Sequence, residues 1–161
     1  MEVKKIVELL CQNESLFAEI YRECARLFPD FKDEFESFAS EEQVHADMFA
    51  RMLGDIEQSP EKWRLGKVSV RTIEIVNQQA KEALAEIRGG RTAPRYAITV
   101  MRSFEQGMGE RSSEKLFETD NELFKSEVAS VRNSFTGHLS RLQELERKIF
   151  PRSAKEEMFE I

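Results

Sequence analysis

The chain is short of the residues that interrupt regular structure: it has 7 Gly and 4 Pro in 161 residues. So few breakers exclude a fold of many short strands and tight turns, and leave room for long helices. Cysteine is scarcer still. Cys11 and Cys24 are 13 positions apart (24 − 11), so no Cys-x-x-Cys pair exists and a four-cysteine metal site is excluded. Two isolated thiols are expected to stay reduced, which fits a cytoplasmic protein. No hydrophobic run approaches the ~20 residues that span a bilayer. The opening stretch MEVKKIVELLCQNESLF is broken by charges and amides within a few residues, which predicts no cleavable leader. An excess of positive charge is also missing. The net charge of −6 argues against nucleic acid as a partner, because phosphate binding needs a basic surface. Neither a membrane nor nucleic acid is expected to engage this chain.

What the chain does have is a soluble globular balance, 40% hydrophobic and 34% charged, enough to bury a core in a single domain over residues 1–161. Hydrophobic periodicity places four long helices at about residues 3–28, 31–53, 94–117 and 124–149. The first carries a stripe of Leu10, Glu14, Phe17, Tyr21, Cys24 and Phe28, broken by Pro29 and Asp30. The second carries Phe31, Phe35, Phe38, Glu42, His45, Phe49 and Met52 and is expected to stop at Gly54. Only a few residues separate these two, so they should pack as an antiparallel hairpin. A crossover over 54–93 follows, with a short amphipathic helix at about 70–88 ended by Gly89 and Gly90. The third long helix begins near Pro94 with the stripe Ile98, Met101, Glu105, Met108, Ser112 and Leu116. The fourth reads Phe124, Val128, Val131, Phe135, His138, Leu142, Leu145 and Ile149, closed by Pro151. Two helical hairpins joined by a long crossover predict an all-α, antiparallel four-helix bundle. The halves also match in spacing: Glu14 to His45 is 31 residues (45 − 14) and Glu105 to His138 is 33 (138 − 105).

Five residues do not belong in apolar stripes: Glu14, Glu42, His45, Glu105 and His138. A buried carboxylate without a partner costs several kcal/mol, so each must be neutralised by a proton, an ion pair or a metal. Glu42 and His45 are three apart and project from one helix face, where they can grip one ion. A mixed carboxylate and imidazole shell suits iron or manganese, with zinc also within its range. With 25 Glu and two His in the chain, a Glu three places before a His is a common coincidence, so the motif gains force only from its partners on other stripes. The residues leave other readings open. Glu14 could flank its stripe and reach water, Glu42 and His45 could pair without metal, a one-position shift would turn Phe104 inward in place of Glu105, and His138 could be a hydrogen-bonded core histidine.

The stretch NESLFAEIYRECARLFPDFKDEFESFASEEQVHADMFARML resembles the rubrerythrin branch of the ferritin-like superfamily. That branch has a ligand Glu, a Tyr seven residues later, and a second helix bearing Glu-x-x-His-Ala and an aromatic. The corresponding residues here are Glu14, Tyr21, Glu42, His45, Ala46 and Phe49. The segments AITVMRSFEQGMGE and SVRNSFTGHLSRLQEL are similar to the second repeat, with Glu105 and His138 at ligand positions. The resemblance covers about residues 3 to 150. It implies a ferritin-like fold and a di-iron carboxylate site used in peroxide or dioxygen chemistry or in iron oxidation. It also implies a homodimer and, in the absence of a rubredoxin-type four-cysteine domain, a separate electron-donor protein. Three positions depart from the pattern. Phe135 stands where the second motif has Glu, Ser112 where a Tyr is expected, and Met108 supplies no carboxylate. Three carboxylates and two histidines leave a dinuclear, a mononuclear and a vestigial site all open. The alternatives to a redox protein are a non-catalytic bundle serving dimerisation or interaction, and an adaptor that takes a partner helix in a Met/Phe-lined groove.

Overall fold

In the computed structural model, residues 2–112 and 116–151 are described, apart from the side chains of residues 110–112, 132 and 135. Among these residues are five α-helices and one two-stranded ribbon: α1 (Glu2–Leu27), α2 (Lys32–Gln58), β1 (Trp63–Leu65), α3 (Val70–Arg88), α4 (Pro94–Ser112), β2 (Phe117–Thr119) and α5 (Glu122–Ile149). α1 and α2 form the expected hairpin. Pro29 opens a single 3-10 turn over Pro29–Phe31, since it has no N–H to continue α1 and fits the first position of a new turn.

The second helix runs past its predicted end. Gly54 does not stop it, and α2 continues to Gln58. The cost of a helical glycine, about 1 kcal/mol, is offset by burying Ile56, which is 1% exposed on the core side. Ser59 then ends the helix before Pro60, as steric conflict with a following proline requires. The third long helix is shorter than predicted. α4 ends at Ser112, and Leu116, placed on its inner stripe by periodicity, lies outside any helix, half-buried beside β2.

The cause of this shortening is the ribbon. β2 pairs antiparallel with β1, in the register Trp63–Thr119, Arg64–Glu118 and Leu65–Phe117. Trp63 packs between Phe117 and Phe124 at centroid distances of 5.8 and 5.7 Å. Its indole N–H donates to Asp55 at 2.8 Å, and the other oxygen of Asp55 accepts from the Asn121 side chain at 2.9 Å. Asn121 also caps α5, accepting from the Leu123 N–H at 3.1 Å. The crossover is thereby tied to the α4–α5 connection.

α3 is capped by Ser69, whose hydroxyl accepts from the Thr72 N–H, and ends at Gly90 with φ +66°, a left-handed turn that glycine adopts without strain. Arg88 fastens α3 to α1 through Glu19 and Glu23. Arg102 fastens α4 to α5 through Glu146 at 2.8 Å. One contiguous hydrophobic core runs from Val3 to Leu145. Among the described residues, no helix is long and apolar enough to cross a membrane.

Candidate metal centre

All five polar stripe residues meet in the centre of the bundle. Glu14, Glu42, Glu105 and His138 are at most 2% exposed. The side chain of His45 is 13% exposed. Register is settled for α4: Glu105 faces inward, while Phe104 sits at the flank, stacked on Phe17 at 5.1 Å. Glu14 likewise points inward and does not reach water.

The five residues form two triads that share Glu42. In the first, His45 Nδ1 lies 2.9 Å from Glu42 Oε2 and 3.4 Å from Glu14 Oε2. In the second, His138 Nδ1 lies 2.9 Å from Glu42 Oε1 and 3.5 Å from Glu105 Oε1. The two oxygens of Glu42 thus face different histidines, as a bridging carboxylate does. Within each triad one ligand atom per residue lies within 4.8 Å of the others. The histidine rings are 5.7 Å apart between centroids.

Aromatic rings shield the site. Phe38 meets His138 edge-on at 5.6 Å and stacks on Tyr21 at 4.8 Å. The Tyr21 hydroxyl donates to Glu105 Oε1 at 2.7 Å.

Hydrogen bonding tests whether these residues fit a metal. Both oxygens of Glu14 are buried and accept no hydrogen bond, and His138 Nδ1 is buried and makes none despite its nearness to Glu42. Lone pairs that converge without hydrogen bonds are what ions require, and leaving them unmatched costs on the order of 1–3 kcal/mol each. The donor set of three carboxylates and two imidazoles fits iron, manganese or zinc.

Protons carry the charge balance when no ion is bound. Burial, reinforced by the charge of Glu42, pushes Glu14 well above the ordinary carboxylate range, with His45 opposing. Burial also raises Glu105, to about 7, helped by the charge of Glu42 and opposed by His138 and Tyr21. Burial would raise Glu42 too, but His138, His45 and Glu14 together hold it below its ordinary value. Burial depresses both histidines, yet their carboxylate neighbours win: Glu14 and Glu42 take His45 up to about 9, and Glu105 and Glu42 take His138 up to about 11. The shifts reinforce one another: Glu42 is biased toward its ionised form and the two histidines toward theirs, while burial biases Glu14 and Glu105 toward the neutral form.

Two residues of the site carried no sequence signal. Glu41 Oε2 accepts from His138 Nε2 at 2.9 Å, and Arg141 donates to the same oxygen at 2.8 Å. Burial raises Glu41, but Arg141 and His138 pull it down to about 2, so it stays ionised. Arg141 is one helical turn from His138, yet Glu41 differs from any other surface glutamate only through a contact 97 residues distant in sequence. Of the positions that depart from the family pattern, Met108 is fully buried and supplies no donor oxygen. The side chains of Ser112 and Phe135 lie outside the described residues.

A ferritin-like helical bundle with single glutamates on α1 and α4, a Glu-x-x-His pair on α2 and a histidine on α5 defines the class of protein. The rubrerythrin family matches residues 5–128, about three-quarters of the chain, and the protein belongs to that family. His138 lies beyond the matched residues, so its place in the site rests on the geometry. No curated protein and no solved structure matches the chain.

Proposed function

We propose that this protein binds two divalent metal ions, iron by preference, with Glu14, Glu42 and His45 holding one and Glu42, Glu105 and His138 the other. The observation that carries this reading is the pair of triads sharing Glu42, with both Glu14 oxygens and His138 Nδ1 buried and without hydrogen bonds. Bound iron would supply one-electron redox chemistry toward peroxide or dioxygen. The chain's own residues set the conditions for it. Glu42 balances charge between the two positions, and Tyr21 holds Glu105 in place from behind. Phe38, 2% exposed and packed against His138 and Tyr21, helps keep the centre dry, which strengthens every electrostatic interaction inside. A separate electron-donor protein and a homodimeric state complete the proposal.

Metal analysis after anaerobic loading with Fe(II) tests it. About two ions per chain is the expected result; fewer than one per chain would overturn it. Rapid mixing of the ferrous protein with hydrogen peroxide or dioxygen then distinguishes the oxidant, by which of the two gives the faster loss of Fe(II).

A second reading, a non-catalytic bundle used for association, draws support from the direct 2.9 Å His45–Glu42 bond, which satisfies two ligands without metal. It predicts that Fe(II) leaves the midpoint of thermal unfolding unchanged. A metal-dependent rise argues for the first reading, because a ligand of the native state must stabilise it.

A further inference from the structure

The two metal positions are braced unequally. His138 is held at both ends: Nδ1 faces Glu42 and Glu105, while Nε2 bonds to Glu41 at 2.9 Å. Glu41 is itself fixed by Arg141 at 2.8 Å, and Arg141 reaches on to Ser37 and lies over the Phe38 ring at 4.4 Å. That ring packs edge-on against His138, which closes the loop of contacts. Glu105, the other ligand on this side, accepts from Tyr21. Among the described residues, the opposite triad has no such support. The oxygens of Glu14 accept no hydrogen bond, and His45 hydrogen-bonds only through Nδ1, to Glu42.

We propose that Glu41, clamped by Arg141, is a positioning residue for the metal centre: it holds His138 with Nδ1 directed at the ion, and so makes the position held by Glu42, Glu105 and His138 the first of the two to fill. The inference rests on the metal-binding reading above. A carboxylate accepting from the far nitrogen of a ligand histidine fixes both tautomer and ring orientation and raises ligand basicity. A preset ligand loses less freedom when the ion arrives, so the braced position binds more tightly. Glu41 is 38% and Arg141 46% exposed, so this bracing reaches the surface at a place where variants need not disturb the core.

The test is anaerobic titration with Co2+, followed by its visible absorption bands, on the parent, Glu41→Ala, Glu41→Gln, Glu41→Asp and Glu34→Gln. Glu34 is an exposed carboxylate on the same helix that does not touch His138, so its variant controls for surface charge. The parent is expected to bind two ions in two separable steps. In Glu41→Ala the tighter step weakens by about 10- to 100-fold with a changed band shape, while the metal-free protein keeps the helical circular-dichroism spectrum of the parent. Glu41→Gln falls between alanine and parent because its amide oxygen still accepts the Nε2 proton, Glu41→Asp recovers part of the loss, and Glu34→Gln titrates as the parent does. His138→Ala removes the tight step and His45→Ala the weak one. Equal titrations for Glu41→Ala and the parent, or loss of the tight step in His45→Ala, would overturn the inference while leaving metal binding standing. A parent chain that takes up no Co2+ or Fe(II) would overturn the metal reading and this inference with it.

Discussion

At the scale of the residue, Glu42 carries the most consequence. It is the one carboxylate common to both triads, and its two oxygens are divided between His45 and His138. Glu42→Ala is therefore expected to abolish both metal positions, whereas Glu14→Ala removes one; metal analysis of the loaded variants separates the two outcomes. The histidines give a pH signature in the metal-free protein. His45 rises from 6.5 to about 9 in the folded state. Its contribution to stability is fully present below pH 6.5 and is lost as pH climbs toward 9, because over that range the folded state binds the extra proton. Glu41 works in the other direction. Held near 2 against an ordinary 4.5, it contributes above pH 4.5 and loses that contribution as pH falls toward 2. Glu105, raised by burial from 4.5 to about 7, loses its contribution as pH climbs through that range, so thermal unfolding of the metal-free protein should be most resistant near pH 4.5 and should weaken on both sides. Metal binding should show the reverse trend above neutrality, with affinity rising with pH, since each ion must displace protons from His45 and His138.

At the scale of the element, helix ends are decided by caps and by what lies beyond them. Gly54 sits inside α2, where an added methyl group would meet nothing within 4 Å. Gly54→Ala is expected to stabilise the protein by about 0.5–1 kcal/mol in denaturant titration, through the smaller backbone entropy of the unfolded chain. Gly90 answers differently. There is open space around it as well, but its φ of +66° penalises any side chain, so Gly90→Ala should destabilise by about 1 kcal/mol or more. Asn121 both caps α5 and bonds to Asp55, so Asn121→Ala should cost roughly 1–2 kcal/mol and should loosen the ribbon that holds Trp63. Quenching of Trp63 fluorescence by acrylamide would report that loosening.

The same elements show how far periodicity can be read. The Phe35, Phe38, Glu42, His45, Phe49 stripe is a local property, set by 3.6 residues per turn, and it brought Glu42 and His45 to one face as the sequence implies. Ile56 extends that stripe one turn past Met52, across Gly54, and its burial outweighed the local glycine signal. β1 and β2 could not be read this way. Each is three residues long, and their pairing joins segments 54 residues apart (117 − 63), so no local pattern marks them. Leu116 was assigned to a helix for that reason, since an isolated apolar residue fits either period.

At the scale of the whole molecule, metal binding and folding are linked. Four of the five helices bear on the site, α1 and α4 through Glu14 and Glu105, α2 through Glu42 and His45, and α5 through His138. Ions held there as proposed would pull all four together. Loading with Fe(II) or Co2+ is accordingly expected to raise the thermal midpoint, and the midpoint should keep rising with the logarithm of free metal concentration once the sites are filled. The Arg88, Arg102 and Arg141 clasps between helices orient the elements, and contribute little each to stability where exposed.

Sequence alone determined the all-helical class, the hairpin of α1 and α2, the crossover, and the common face of Glu42 and His45, because amphipathic spacing and chain breakers are local, but it left Glu14 free either to face inward or to flank its stripe. It did not decide between Glu105 and Phe104 on α4, which differ by one position on the helix and were separated only when α1 and α5 packed against it. Nor did it reveal that Glu42 lies between two histidines, or that Glu41 and Arg141 brace one of them. Those relations join residues about 100 positions apart, and only the tertiary packing of α2 against α5 brings their atoms within bonding distance.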